Sequence, residues 1–245
     1  NQLEKIKPRK SKYFYPLTGD SMRSQDLYEG IKVMLSKQLT MSKVTRKFEN
    51  IFKKKLNINY SLMVNSGSSA NLLAFQCLIN PYRKNRLKPG DEVLIPAICW
   101  STSLWPIIQS GLKPVFVDVD LSTFNISLKD LERKISSKTK ALMLVHVLGN
   151  SVNMKKLINI IKRRKIILIE DTCESLGSKF KEKYLGSFGE FSTFSFYYSH
   201  QITSAEGGMI CCKSREDYEI LKALRSHGYS RDLKNRKILE KKYNK

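Results

Sequence analysis

Three short segments of this 245-residue sequence hold residue types able to do chemistry. The first is Asn65-Ser66-Gly67-Ser68-Ser69-Ala70-Asn71, which reads as a strand end opening into a helix. Glycine lets a ligand approach the backbone, the helix N-terminus turns its N–H groups outward, and the serines add hydroxyl donors, a set suited to a phosphate dianion. The segment has neither the Gly-Lys-Ser/Thr of a P-loop nor a GxGxxG fingerprint, and an ordinary capped turn is the competing account. The second is Glu170-Asp171-Thr172-Cys173-Glu174, where carboxylates end an apolar run and are costly to bury unless a cation meets them. A protonated pyridine nitrogen is one such cation, and holding its proton makes the ring an electron sink. A bound Mg²⁺ or a helix cap also fits, although no second carboxylate cluster is nearby in sequence. The third is Phe194-Ser195-Phe196-Tyr197-Tyr198-Ser199-His200-Gln201, followed by Glu206-Gly207-Gly208. His200 stands there among hydroxyls and aromatics, whereas His146 and His227 have no comparable context.

These segments need elements to position them. A helical pattern covers Ser24 to Leu56, with Tyr28, Ile31, Met34 and Leu35 on one face and Val44, Phe48 and Ile51 on another. Alternation then begins. Strands are predicted over Tyr60–Val64, Glu92–Pro96, Pro114–Val119, Ala141–Val147, Ile166–Glu170, Phe191–Tyr198 and Met209–Cys212. Between them fall helices over Asn71–Ile79, Thr102–Ser110, around Leu128 to Ile135 and around Met154 to Ile161, and a helix over Arg215–Arg225 closes the series. Such alternation argues an α/β fold with a mostly parallel sheet covered on both faces, and ligands at the carboxyl ends of its strands. Residues 1–23 read as an irregular arm, 24–232 as the main domain, and 233–245 as a basic tail or the start of a further region.

Composition narrows the function classes. With 41% hydrophobic and 10% aromatic residues the chain is no disordered polycation, despite a formal charge of +22. The basic residues are scattered and do not interleave with aromatics, so a solvated lysine-rich surface is expected rather than a nucleic-acid platform, and the field would favour anionic small substrates. No apolar run approaches the ~18 residues needed to span a bilayer. Five cysteines without metal-ligand spacing read as reduced, buried thiols of a cytoplasmic protein, and the neighbours Cys211 and Cys212 should point to opposite faces of a strand. Asn at the first position suggests processing or an incomplete N-terminus.

Taken in order, NSGSSANL, PAICWST, IEDTCES and SFYYSHQI with its following EGG strongly resemble the DegT/DnrJ/StrS sugar-aminotransferase family, from about Tyr15 to Asp232. The resemblance implies the large domain of the fold type I pyridoxal phosphate enzymes, a mostly parallel mixed sheet flanked by helices, without the smaller C-terminal domain that family members carry. It assigns the cofactor phosphate to Gly67, Ser68 and Ser195, the stacked aromatic to Trp100, the pyridine-nitrogen partner to Asp171, and a polar neighbour to Glu174. The family's imine-forming lysine falls on His200. Histidine there marks the deoxysugar 3-dehydratase branch, and the absence of Cys in Arg225 to Asp232 favours its type without an iron–sulfur cluster.

The branch implies non-covalent pyridoxal or pyridoxamine phosphate, a nucleotide-linked 4-keto-6-deoxyhexose, glutamate as amino donor and a cytoplasmic homodimer serving lipopolysaccharide deoxysugars. It involves neither nucleic acid nor membrane. His200, with an ordinary pKa near ~6.5, would act as the base. A sugar aminotransferase using a displaced lysine such as Lys213, or an inactive binding fragment, are the alternatives.

Overall fold

The computed structural model describes residues 12–14 and 22–229, so the basic tail 233–245 and most of the arm 1–23 lie outside the described residues. The first long helical pattern is two helices, α1 (Ser24–Leu35) and α2 (Lys43–Leu56). Lys37 and Met41, at φ 58° and 45°, break it between them. Tyr28, Ile31, Met34 and Leu35 are exposed, and α1 buries no residue. Helix α2 packs Phe52 and Leu56 inward and ends on Asn57 in the left-handed region, φ 54°.

From there the elements run β1 (Tyr60–Val64), α3 (Gly67–Leu78), β2 (Glu92–Pro96), α4 (Ser101–Gln109), β3 (Lys113–Val117), α5 (Leu128–Lys134) and β4 (Thr139–Val145). They continue with α6 (Met154–Arg163), β5 (Ile167–Asp171), a small hairpin of β6 (Lys179–Phe180) and β7 (Lys183–Tyr184), β8 (Phe191–Ser195), β9 (Gly208–Cys212) and α7 (Arg215–Arg225). Helix α3 starts four residues before the pattern predicts, because the Ser66 side chain accepts from Ser69 N–H and caps it. Strand β8 ends three residues early: Ser195 Oγ accepts from Tyr197 N–H, and the chain leaves the sheet.

The sheet has seven strands in the order β1-β9-β8-β5-β4-β2-β3. Pairings from β8 through β5, β4 and β2 to β3 are parallel, and β9 runs antiparallel to both β1 and β8. The sheet is thus mixed and mostly parallel. Alternate residues feed the two faces. Ile95, Ala141, Met143, Ile169 and Ile210 pack with Ala74 and Phe75 of α3, Ile107 of α4 and Leu221 of α7. Leu94, Leu142, Leu144 and Leu168 face the other way, onto Leu131 of α5 and Leu157 and Ile161 of α6. Phe194, Met209 and Cys211 extend this second face onto α2. Cys211 and Cys212 therefore lie in different cores, as strand alternation requires, and burial pushes both thiols well up. Among the described residues no helix is long and apolar enough to cross a membrane.

Candidate active site

The parallel strands deliver their carboxyl ends to one edge, and the segments singled out in the sequence gather there. Alternation along β5 sends Asp171 to the same face as Ile169, toward α3. Asp171 is buried and its carboxylate is well supplied with donors. Oδ2 accepts from Asn71 Nδ2 at 2.9 Å and Ser103 Oγ at 2.7 Å, and Oδ1 accepts from Cys173 N–H at 3.1 Å. Such bonds hold the carboxylate in one orientation.

The phosphate-type turn meets the same place through close backbone approach. A Cβ on Gly67 would lie 2.7 Å from Ser195 Cβ and 2.8 Å from Cys173 Sγ, so this turn, the end of β8 and the segment after β5 touch only because residue 67 has no side chain. Gly208 does the same from behind, since its Cβ would stand 2.3 Å from the Ser66 carbonyl. The second glycine of the EGG segment thus lets β9 support the N-terminus of α3. Ser68 is exposed at that N-terminus and donates to Thr102 Oγ1 at 3.1 Å, linking it to α4. Burial, together with the Asp171 charge, raises the thiols of Cys173 and Cys99, so neither is a nucleophile near neutral pH.

Trp100 is the N-cap residue of α4 and is 68% exposed, an open aromatic face at the rim. Glu174 uses its carboxylate to accept Leu148 N–H at 3.0 Å, and its carbonyl accepts from Gln201 Nε2 at 2.6 Å. Gln201 is the neighbour of His200, so the loop after β8 is tied at its tip to the segment after β5. His200 donates its N–H to the Tyr197 carbonyl at 3.0 Å, and its ring stands edge-on to Tyr197 at 6.0 Å. Its Nδ1 is buried and has no hydrogen-bond partner among the described residues. Gly67, Ser195 and Asp171 are thus joined directly or through one intervening residue. His200 and Glu174 belong to the adjoining loop system, and Trp100 and Ser68 to the exposed rim.

Sequence reasoning missed four groups here. Asn71, Ser103 and Thr193 form the buried scaffold behind Asp171, and Asn71 lies inside the quoted NSGSSAN segment, so its position one turn into the helix was a usable signal. The fourth is His146, which has a strong context after all. It is fully buried and its Nε2 stands 3.0 Å from Glu170 Oε2. Lys213 is excluded as a displaced imine lysine. Strand β9 begins beside Ser66 and runs away from the site, so Lys213 lies roughly 16 Å off at ~3.3 Å per residue. Its Nζ is instead engaged with the Phe188 carbonyl.

The sheet order, the glycine-mediated contacts and the donor set on Asp171 define an aminotransferase-type α/β domain. The chain belongs to the DegT/DnrJ/EryC1/StrS aminotransferase family, whose profile matches residues 20–243. It is 42% identical over 220 residues to the GDP-4-keto-6-deoxy-D-mannose 3-dehydratase of Escherichia coli O55:H7, covering 89% of this chain and 56% of that protein. The solved structure of E. coli GDP-4-keto-6-deoxy-D-mannose-3-dehydratase with bound hydrated PLP superposes at TM-score 0.86, with 42% identity over 89% of this chain and 56% of that one. A further structure, of GDP-4-keto-6-deoxymannose-3-dehydratase with a trapped PLP-glutamate geminal diamine, matches at TM-score 0.86 and 40% identity, covering 89% and 56%. The chain therefore spans little more than half the length of these relatives.

Proposed function

We propose that this chain is the cofactor-binding part of a pyridoxal/pyridoxamine phosphate-dependent 3-dehydratase of a nucleotide-linked 4-keto-6-deoxyhexose, serving deoxysugar and lipopolysaccharide synthesis. The observation that carries this reading is the buried Nδ1 of His200, which has no hydrogen-bond partner among the described residues, at the position that the motif resemblance matches to the family's imine-forming lysine. The surrounding residues fit the cofactor. The Gly67 turn and the Ser68 and Ser195 hydroxyls make a phosphate cradle at a helix N-terminus. The buried Asp171 carboxylate suits a protonated ring nitrogen, and Trp100 offers a ring face. Glu174 fixes the neighbouring backbone at Leu148.

When bound, the cofactor supplies an amine for the C4 ketone and a ring that takes up electrons. Holding the ring nitrogen's proton would fall to Asp171, and the His200 imidazole would take up a proton and return it to the 3-hydroxyl, which leaves as water. An imidazole cannot hold the cofactor covalently as a lysine would, so release of ammonia is favoured over transamination. Glutamate is the proposed amino donor, in keeping with the glutamate adduct trapped in the relative. The formal charge of +22 would draw in an anionic nucleotide sugar. A cytoplasmic homodimer is proposed as the working form, and the open rim of Trp100, Leu148 and Tyr197, all exposed, supports a covering partner.

Borohydride trapping followed by mass spectrometry tests the reading. Wild-type chain mixed with pyridoxal phosphate should bind it and yield no lysine adduct, whereas His200→Lys should yield an adduct at residue 200. A wild-type adduct on any lysine would return the chain to the aminotransferases, and absence of cofactor binding would remove it from this chemistry.

A further inference from the structure

The scaffold behind Asp171 bears on which ring the site accepts. Thr193 Oγ donates to Asn71 Oδ1 at 2.6 Å, and that orients the Asn71 amide: its nitrogen must face Asp171 Oδ2 at 2.9 Å, with the Thr102 carbonyl at 3.2 Å as its second acceptor. Ser103, fully buried, brings a second neutral donor to the same oxygen at 2.7 Å. Oδ2 is thus occupied twice, whereas Oδ1 carries one backbone N–H and keeps room for another donor. Because both side-chain donors are neutral, the aspartate charge is left to be answered by the ligand.

Position matters as well as charge. Asn71 sits one helical turn beyond Gly67 on α3, about 6 Å of rise along the axis. The turn that carries the Gly67 backbone therefore also holds the Asp171 carboxylate, which would answer the ring nitrogen of a bound cofactor. The spacing between the two grips is built into a single rigid turn rather than into loops.

Resting on the proposed cofactor reading, we propose that Asn71, backed by Thr193 and helped by Ser103, is a positioning residue that leaves Oδ1 of Asp171, beside its bond from Cys173 N–H, able to take a further donor and so selects a phosphorylated ring whose nitrogen carries a proton. The selection is against rings of the same shape that lack that N–H. A role in folding alone would affect both ring types equally.

The test compares binding of pyridoxamine phosphate with that of its 1-deaza analogue, in which the ring nitrogen is replaced by CH, using the full chain. Wild type should prefer pyridoxamine phosphate by about tenfold or more, the range of one charge-assisted hydrogen bond. Asn71→Leu and Ser103→Ala should bring the ratio toward one, and Ser103→Thr, which keeps the hydroxyl, should retain it. If Asn71→Leu does not fold, as judged by circular dichroism, the two Ser103 variants decide. An unchanged ratio in whichever of Asn71→Leu and Ser103→Ala folds, loss of the preference in Ser103→Thr, or equal binding of both ligands by wild type overturns the inference while leaving the cofactor reading standing. Failure of wild type to bind either ligand overturns the cofactor reading, and this inference with it.

Discussion

Replacing Glu170 by Gln probes the buried carboxylate on the opposite face of β5 from Asp171. Glu170 is fully buried, with Oε1 accepting the N–H groups of Phe188 at 2.7 Å and Gly189 at 2.6 Å. Its Oε2 accepts Gly186 N–H at 2.9 Å and faces His146 Nε2 at 3.0 Å. Burial alone would raise this carboxyl, but the hydrogen bond and charge of His146, with the Gly189 and Gly186 N–H groups, outweigh it and hold the pKa below the ordinary 4.5. Glutamine keeps the shape but puts an NH₂ where an acceptor stood. With that nitrogen at the Oε1 site, two backbone N–H groups lose their acceptor. At the Oε2 site Gly186 loses its acceptor, and His146 can accept from the amide only by moving its proton to Nδ1, which is buried with no partner among the described residues. Either arrangement leaves two buried donors orphaned, at ~1–3 kcal/mol each, and weakens the remaining bonds by loss of charge, for a total of about 2–6 kcal/mol. Urea unfolding near pH 7 reads this as a lower midpoint at unchanged slope. The pH dependence has a definite sign. A carboxyl with a depressed folded pKa stabilises above its unfolded pKa, and that stabilisation is lost as pH falls through the folded value, so wild type should lose more stability than Glu170→Gln on acidification below about 4.5. A variant within ~0.5 kcal/mol of wild type, with the same acid limb, would refute the assignment of a charged, four-donor carboxylate.

The glycine contacts predict overpacking: Gly67→Ala should cost ~1–3 kcal/mol in urea titrations and weaken phosphate-ester binding, and adding Ser195→Gly, which removes the Cβ 2.7 Å away, should recover part of the stability loss. The thiols of Cys173 and Cys99 should alkylate with iodoacetamide far more slowly than free cysteine near pH 8, because burial and the Asp171 charge keep them protonated, and rapid labelling of either in folded protein would count against the site geometry. Arg83→Met leaves Asp217, 2.7 Å from Nε in the native ion pair and nearly buried, without its cation, and should cost ~3–5 kcal/mol in the same unfolding assay.

Much of the fold was legible because its signals are local. Strand β2 and helix α7 fall where the apolar pattern put them, and the β-branched run before Asp171 marks the central strand within one residue. The misreadings have local causes that hydropathy does not carry. The left-handed residues Lys37 and Met41 split one amphipathic pattern into two helices, and the Ser195 turn bond stops β8 although Phe196 and Tyr197 continue the apolar run. The candidate site was half legible. Gly67 and Asp171 announce themselves by type and setting and Ser195 through the family resemblance, but Asn71 meets Asp171 across 100 residues of sequence and Ser103 across 68. His146 had no motif around it. What makes it notable is a carboxylate 24 residues away on the neighbouring strand, and only the pairing of β4 with β5 brings the two together.

The two carboxylates at the end of β5 divide the work that a single strand end must do. Glu170 turns away from the site and gathers backbone N–H groups from the turn before β8, fixing where β8 starts, while Asp171 turns toward α3 and takes side-chain donors that fix how its own oxygens point. The Asp171 grip proposed for the ligand therefore rests on buried, hydrogen-bonded groups, while Trp100 and Ser68 stand at the exposed rim. His200 rides on the excursion between β8 and β9. That excursion is closed at its neck by Phe196 N–H to the Gly207 carbonyl at 2.9 Å and Ser204 N–H to the Phe196 carbonyl at 3.1 Å, and tied at its tip by Gln201 to Glu174. On the proposed reading, a rigid grip with the proton-moving group on a loop would let that one position set the outcome of the chemistry without disturbing the grip. For that reason exchanging the imidazole for an amine should change what happens to a bound cofactor while leaving unaltered how tightly its phosphate and ring nitrogen are held.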